Sequence, residues 1–204
     1  MSPGDVMPDP VDLTLATYQV TMQLYVEAGG SPGPALRAFL GQVAEAAPGG
    51  TVLEVGSGPG RDADHLEALG QLVLRTDATP AFVDRLRAAG HDARLLDVRS
   101  DPLGGPYDVV LAQAVLLHLS RPQLADVARR VLAAVRPGGV LAATFKEGDG
   151  ESWSTAKLEA PRWFTYWRAP ALREVLEAAG WSVTSLAHVA GRLEPWLYVL
   201  AERP

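Results

Sequence analysis

Residues 52–60 read Val-Leu-Glu-Val-Gly-Ser-Gly-Pro-Gly, an apolar run that holds one acidic residue and ends in three glycines at alternating positions. Such a run predicts a buried parallel strand, and the glycines let it turn where another molecule approaches the backbone closely. The next pattern, 61–69, is helical, so the loop's N–H groups and a helix N-terminus would face whatever binds there. Around this unit, apolar runs at 51–55, 71–76, 93–96, 107–112 and 140–145 alternate with helical patterns at 61–69, 80–89, 116–119 and 122–135. The alternation predicts a parallel sheet with helices on both faces, where right-handed crossovers place them.

The flanks complete the plan. Pro3, Pro8 and Pro10 mark a loose tail, a helix over 11–28 is closed by Gly29-Gly30, and a second helix over 35–47 ends at Pro48-Gly49-Gly50. Pro137-Gly138-Gly139 reads as a tight turn feeding the fifth strand. Residues 147–161 are polar and irregular, 169–179 are helical, and 181–187 and 196–201 are the last strands, close enough for an antiparallel pair. The expected fold is α/β, a Rossmann-like doubly wound sheet of seven strands, mostly parallel with an antiparallel C-terminal strand. At 204 residues a single domain is expected.

Composition removes several function classes. The net charge of −6 includes no basic block, and the densest positive spot, Arg129-Arg130, lies in a predicted helix, so no nucleic-acid partner is expected. Cys, Asn and Ile are absent and the only lysines are Lys146 and Lys157, a bias that looks like G- and C-rich coding. Without Cys there is no thiolate nucleophile, disulfide, iron–sulfur cluster or cysteine zinc site. Residues 1–10 lack a signal-peptide pattern, and the apolar stretch 109–119 is interrupted by Gln113 and His118 and is too short to span a bilayer. A cytoplasmic protein without a membrane partner is expected, a monomer or homodimer. His65, His91, His118 and His188 lie too far apart to imply a metal cluster, so no metal site is expected.

Asp77 ends the second predicted strand about twenty residues after Gly56, where a carboxylate can accept from both hydroxyls of a ribose. The competing reading is a cap for the helix beginning near Pro80. A glycine loop with a ribose acid fits a dinucleotide or S-adenosylmethionine. A dinucleotide fingerprint counted from Gly56 places Arg61 where the third glycine belongs; counted from Gly58 it gives Gly58-x-Gly60-x-x-Ala63, a variant two residues late. The loop alone leaves both open.

The ordered set of motifs resembles the class I S-adenosylmethionine-dependent methyltransferases, small bacterial type. It runs from 53–60 and Asp77 through Leu96-Asp97-Val98, then Tyr107-Asp108-Val109-Val110 with 112–118, to Val135-Arg136-Pro137-Gly138-Gly139. The resemblance covers residue 35 to the C-terminus. It implies a tail and N-terminal helix over the site (1–34), a cofactor-binding core (35–146), and an acceptor-side insert, last helix and hairpin (147–204). It also implies S-adenosylmethionine as cofactor. Gly56, Ser57 and Gly58 would pass under its amino acid part, with Gly60 in the same loop, and Glu54 would hold the loop and attract the ammonium. Asp77 would bind the ribose and Asp97 the adenine amino group, with Val98 against the ring and Ala78 and Thr79 bordering it. Asp97 reads equally as a turn or cap residue. Arg61, Tyr25 and Tyr18 could meet the cofactor carboxylate or be a surface arginine and core tyrosines; for Tyr18 the core reading is preferred.

Methyl transfer from a sulfonium is an in-line displacement that depends chiefly on alignment and exclusion of water. A base is needed only where the acceptor loses a proton, and His118, after the fourth strand, is the candidate, against a packed structural histidine. Gln113 is grouped with the cofactor-binding residues and could also hold the acceptor. The place where related amino methyltransferases carry an Asn/Asp-Pro-Pro-aromatic motif reads Gln113-Ala114-Val115-Leu116, and the absence of Cys and Asn removes cytosine C5 and metal-assisted catechol chemistry. What remains is a small-molecule acceptor methylated on O or N without metal. In the aromatic-rich insert, Trp163, Phe164 and Trp167 read as packing, which leaves Trp153 and Tyr166 facing the acceptor. The alternatives are a nicotinamide-dependent oxidoreductase, although no tyrosine has a lysine four residues on, and a non-catalytic cofactor-binding protein of the same fold.

Overall fold

The computed structural model describes residues 8–204. Helices α1 (Pro10–Glu27) and α2 (Pro34–Ala46) precede the alternating core: β1 (Thr51–Val55), α3 (Arg61–Ala68), β2 (Leu72–Asp77), α4 (Pro80–Ala88), β3 (Ala93–Leu95) and β4 (Tyr107–Ala112). A 3-10 turn (Leu116–His118), α5 (Arg121–Ala134) and β5 (Val135–Lys146) follow. The rest is β6 (Glu151–Ser154), β7 (Arg162–Thr165), α6 (Ala169–Ala178), β8 (Ser182–Val189) and β9 (Trp196–Glu202). Seven strands form one sheet in the order β3-β2-β1-β4-β5-β9-β8, parallel from β3 to β5, with β9 antiparallel to both its neighbours. This is the expected doubly wound sheet with an antiparallel C-terminal strand.

Alternate residues of the central strands feed two cores. Leu53, Val110 and Leu141 pack with side chains of α5 and α6, while Val52, Val109 and Ala142 pack with Phe39, Leu40 and Val43 of α2 and Leu66 of α3. Burial on both faces explains why these strands read as unbroken apolar runs rather than as alternating ones. No helix among the described residues is long and apolar enough to cross a membrane.

Two segments differ from expectation. Strand β5 begins at Val135, and residues 136–139 continue it as a bulge: Tyr107 pairs with Val135 but Val109 with Val140. Gly138 N donates to Arg203 O and Arg203 N to Gly139 O, which satisfies the backbone that a turn would have left to water. The stretch read as irregular contains β6, which forms a separate two-stranded ribbon with β7. Its pairing rests on an edge-on contact of Trp153 with Trp163 at 5.3 Å, not on core burial, so β6 carries no apolar periodicity to read.

The tail expected at the N-terminus lies, before residue 8, outside the described residues. Asp9 caps α1 by accepting from Val11 N at 2.8 Å. The buried face of α1 is Val11, Thr14 and Thr17, too little apolar area to hold it by burial alone. Hydrogen bonds hold it instead: Thr14 Oγ1 accepts from Trp163 N at 2.9 Å, and Thr17 Oγ1 donates to the Pro161 carbonyl at 2.7 Å. Arg99 adds ion pairs to Asp12 at 2.6 Å and Asp9 at 3.4 Å. Thr14→Val keeps the shape and leaves Trp163 N–H without its acceptor, at a cost of about 1–3 kcal/mol. In hydrogen exchange read by mass spectrometry, the α1 amides are expected to exchange roughly 5- to 150-fold faster, with β5 unchanged; equal protection of α1 in the variant would show that burial holds it.

Candidate functional site

The glycine turn after β1 sets the geometry. Gly56 and Gly58 have φ of +69° and +51°, conformations that suit glycine. A Cβ on Gly56 would lie 2.4 Å from Val115 Cγ2, whereas one on Gly58 would meet only Tyr25, at 3.9 Å. The loop is stitched to β2: Ser57 N donates to Thr76 O at 2.8 Å, Thr76 N to Ser57 Oγ at 3.1 Å, and Thr76 Oγ1 to Glu54 O at 2.7 Å.

Asp77 joins the same network. Its buried carboxyl accepts from Gly58 N at 2.9 Å and from Thr79 N at 2.8 Å, so it fixes both the glycine loop and the approach to α4. Burial raises its pKa, opposed by these N–H groups. Glu54, 2% exposed at the end of β1, keeps Oε2 without a hydrogen-bond partner among the described residues. Burial pushes its pKa up to about 8, against the Ser57 hydroxyl, with a further push from Asp62. Asp62 itself, in the first turn of α3, is raised by burial to about 6 despite Arg61.

These residues open on a cavity of about 300 Å³. Gly56, Ser57, Gly58, Arg61, Asp77, Ala78 and Thr79 line one part of it, and Asp97, Val98, Gln113, Tyr25 and His118 line the remainder. Glu54 and Gly60 stand behind the lining, Gly60 at the N-terminus of α3 with φ +88°. Asp97 is engaged by its own chain: Oδ1 accepts from Arg99 N at 2.9 Å, and the Arg99 guanidinium reaches both oxygens. Burial opposes its ionisation, yet Arg99 holds its pKa below the usual range. Arg61 Nη2 donates to the Val26 carbonyl at 2.7 Å and ties the end of α1 to α3. The lining does not include Trp153 or Tyr166. Trp153 is 41% exposed against Trp163, and Tyr166 sits at the β5 exit, its ring 5.7 Å from Lys146 Nζ.

His118 is buried between Tyr18 and Phe164, with ring centroids 5.6 and 4.8 Å away. Its Nδ1 is 2.5 Å from the Trp163 carbonyl and its Nε2 is 3.1 Å from the Tyr18 hydroxyl. A carbonyl only accepts, so Nδ1 carries the proton and Nε2 accepts from Tyr18. Burial lowers its pKa to about 4, against the carbonyl, and the positive charges of Arg162 and Lys146 lower it further. His118 is therefore a neutral imidazole whose basic nitrogen points at a phenol on the cavity wall.

Sequence reasoning missed three contributors. Tyr18, read as core, lines the cavity through its partnership with a histidine 100 residues away, which no local pattern reveals. Asp62 directly follows the glycine loop, a signal that was available. Lys157 also lines the cavity, and as one of only two lysines in an arginine-rich chain it stood out by composition. Among the described residues no three His, Asp or Glu side chains cluster as metal ligands.

Comparison with known proteins places this geometry. A family model for the methyltransferase domain matches residues 30–186. No curated protein matches the chain. Among solved structures, it is similar to 1,6-didemethyltoxoflavin-N1-methyltransferase of Burkholderia thailandensis, seen with S-adenosylhomocysteine, at 19% identity and TM-score 0.73 over 99% of this chain and 93% of that one. It is similar to magnesium protoporphyrin IX methyltransferase of Synechocystis PCC 6803, seen with bound S-adenosylmethionine, at 15% identity and TM-score 0.75 over 98% and 100%. It is equally similar to the [4+2]-cyclase SpnF, at 18% identity and TM-score 0.75 over 97% of each chain. At these identities the structures establish the fold, which hosts more than one chemistry. The family model, matching more than half of the sequence, establishes kinship: the chain belongs to the methyltransferase domain family.

Proposed function

We propose that this protein binds S-adenosylmethionine and transfers its methyl group to an oxygen or nitrogen of a small-molecule acceptor, without a metal. The carrying observation is that a Gly58 with room for a ligand in place of a Cβ and the Asp77 carboxyl open on one cavity, with an orphaned, buried carboxyl oxygen of Glu54 just behind its lining. That set fits the cofactor. Glu54 and Asp62 would meet its ammonium, Gly56 and Gly58 its amino acid backbone, Asp77 its ribose, and Val98 its base. Asp77 has one oxygen on each of two N–H groups, and each oxygen retains a second acceptor site for a hydroxyl. Asp97, already satisfied by Arg99, would offer the adenine amino group only its remaining lone pairs.

When bound, the sulfonium supplies an electrophilic methyl group; the chain's residues position the acceptor, exclude water and take up a proton where one is released. The Tyr18 hydroxyl and His118 Nε2 form the route for that proton. The phenol receives it from the acceptor while passing its own to Nε2, and the Trp163 carbonyl holds the imidazole in the tautomer that makes this work. The segment after β5 contributes here through Lys157 and the Trp163 carbonyl.

Titration calorimetry tests the cofactor: S-adenosylhomocysteine is expected to bind and NADPH not to. Asp77→Ala is expected to weaken the first by about 1–3 kcal/mol; unchanged affinity in a folded variant removes Asp77 from the cofactor site.

The raised Glu54 pKa gives a second outcome. At pH 7 a carboxyl with a pKa of about 8 is mostly protonated, and an arriving ammonium favours its ionised form. Binding of S-adenosylhomocysteine at pH 7 is expected to release up to about one proton, read from calorimetry in buffers of different ionisation enthalpy. Glu54→Gln is expected to abolish most of the release, and a release that survives would move the charge elsewhere.

His118 gives a third. Its lowered pKa means that protonation sets in only near pH 4, so nitrogen NMR is expected to show the neutral Nδ1–H tautomer from pH 8 down to pH 5. A midpoint near the ordinary histidine value would overturn this arrangement.

A further inference from the structure

The buried Arg162 and the exposed Lys157 both lack, among the described residues, the carboxylate partner that the buried Arg75 and Lys146 and the partly buried Arg99 have. Arg75, 3% exposed, has Asp64 and Glu67 at 2.6 and 2.5 Å; Arg99 has Asp97 and Asp12; Lys146 has Glu194 at 2.5 Å. Arg162, on the first residue of β7 and 6% exposed, has no carboxylate within ion-pair distance among the described residues. Its Nε is buried without any partner, and its Nη1 reaches only the Tyr18 hydroxyl, at 3.5 Å. The rings of Phe164 and Tyr18, 5.2 and 5.9 Å from its Cζ, offset part of the lost hydration but supply no acceptor in line with the guanidinium fork. Lys157, on the cavity wall, has its Nζ 3.9 Å from the Tyr25 ring centre and is likewise without a carboxylate among the described residues. Partial burial, Arg162 and Arg61 together lower its pKa.

A guanidinium cannot shed its proton to escape burial, so its charge stays beside Tyr18, which lines the cavity although Arg162 itself stands just behind that lining. In a protein of net charge −6, the buried Arg162 beside Tyr18 and the exposed Lys157 on the cavity wall, neither with a carboxylate among the described residues, form a local site of the opposite sign. We infer that the methyl acceptor is an anion, a small molecule bearing a carboxylate that pairs with the Arg162 fork and the Lys157 ammonium, its reacting atom beside Tyr18 and His118. This inference rests on the methyltransferase reading above and narrows its substrate class. A bidentate arginine–carboxylate pair adds orientation as well as attraction, which an in-line transfer needs.

The test uses the full chain saturated with S-adenosylhomocysteine and a panel of small aromatic and aliphatic carboxylates, each matched with its neutral carboxamide, read by ligand-observed NMR. Carboxylates are expected to bind at least about tenfold tighter than their amides. Arg162→Met is expected to bring the two within about twofold, Arg162→Lys to keep part of the preference, and both to hold S-adenosylhomocysteine as the parent does. Should Arg162→Met fail to fold, Lys157→Met carries the comparison, with a loss of about tenfold in carboxylate affinity expected. The inference is overturned by amides binding as well as carboxylates, by no carboxylate binding the saturated protein, or by a preference that survives in the folded variants. A loss of S-adenosylhomocysteine affinity in Arg162→Met would also overturn it, by assigning that charge to the cofactor carboxylate. If the parent does not bind S-adenosylhomocysteine at all, the methyltransferase reading itself fails, an outcome separate from the others.

Discussion

The Asp77 carboxyl, accepting at once from Gly58 N and Thr79 N, is the interaction on which the site depends. Parallel strands β1 and β2 bring their carboxyl ends side by side, but a glycine turn has no side chains with which to hold its shape. A buried carboxyl at the end of the neighbouring strand provides the fixed acceptor, and the Ser57–Thr76 exchange adds two further bonds alongside it. Buried polar groups are affordable only when paired, so the loop's rigidity and the tolerance of a charge at that depth have one cause. Glu54, two residues before the turn, departs from that rule with one unpaired oxygen among the described residues, and in the proposed function the ligand's ammonium pairs with it.

The roof over this floor is held differently. Helix α1 has threonines, not leucines, on its buried face, and its bonds run to β7 and to the Arg99 turn after β3. Polar tethers of this kind are individually modest in strength. A helix attached by them can open while the two sheet cores, one around Leu53, Leu141 and Phe145 and the other around Leu40, Val109 and Leu111, stay intact. Tyr18 and Tyr25 travel with α1, so opening the roof would also undo the Tyr18–His118 contact.

What was legible in the sequence follows burial and sequence distance. Strands at 51–55 and 107–112 announced themselves because both faces are covered, and Asp77 fell into the glycine loop's cavity because the β–α–β unit fixes that separation. The ribbon of β6 and β7 is not legible, since β6 is largely exposed and meets β7 through a tryptophan pair ten residues apart, while β7 reaches the core through Phe164 alone among its apolar residues. The bulge at 136–139 was read as a turn because Pro-Gly-Gly suits both, and the deciding partner is Arg203, at the far end of the chain. Trp153 and Tyr166 stand out by aromatic density in a loop, a property that does not say which way a ring faces. Tyr18 is ambiguous for the converse reason, since a helical tyrosine looks the same in sequence whether it faces a core or a cavity.

Burial is the main reason that His118 stays neutral, and the cations beside it reinforce the effect. Arg162 and Lys146 both lower its pKa, and protonation would place a third positive charge among them at a depth where screening by water is weak. An imidazole kept neutral by burial and by neighbouring cations is a ready proton acceptor, although a weak one, because the same burial and repulsion oppose the proton it must take. An anion seated against Arg162 would cancel part of that repulsion and lift His118 toward its ordinary range. Binding of a carboxylate acceptor would then strengthen the base as the acceptor arrives, and a neutral analogue of the same shape would occupy the cavity without doing so. Anion recognition and proton uptake would thus be two consequences of one arrangement of Arg162, Tyr18 and His118.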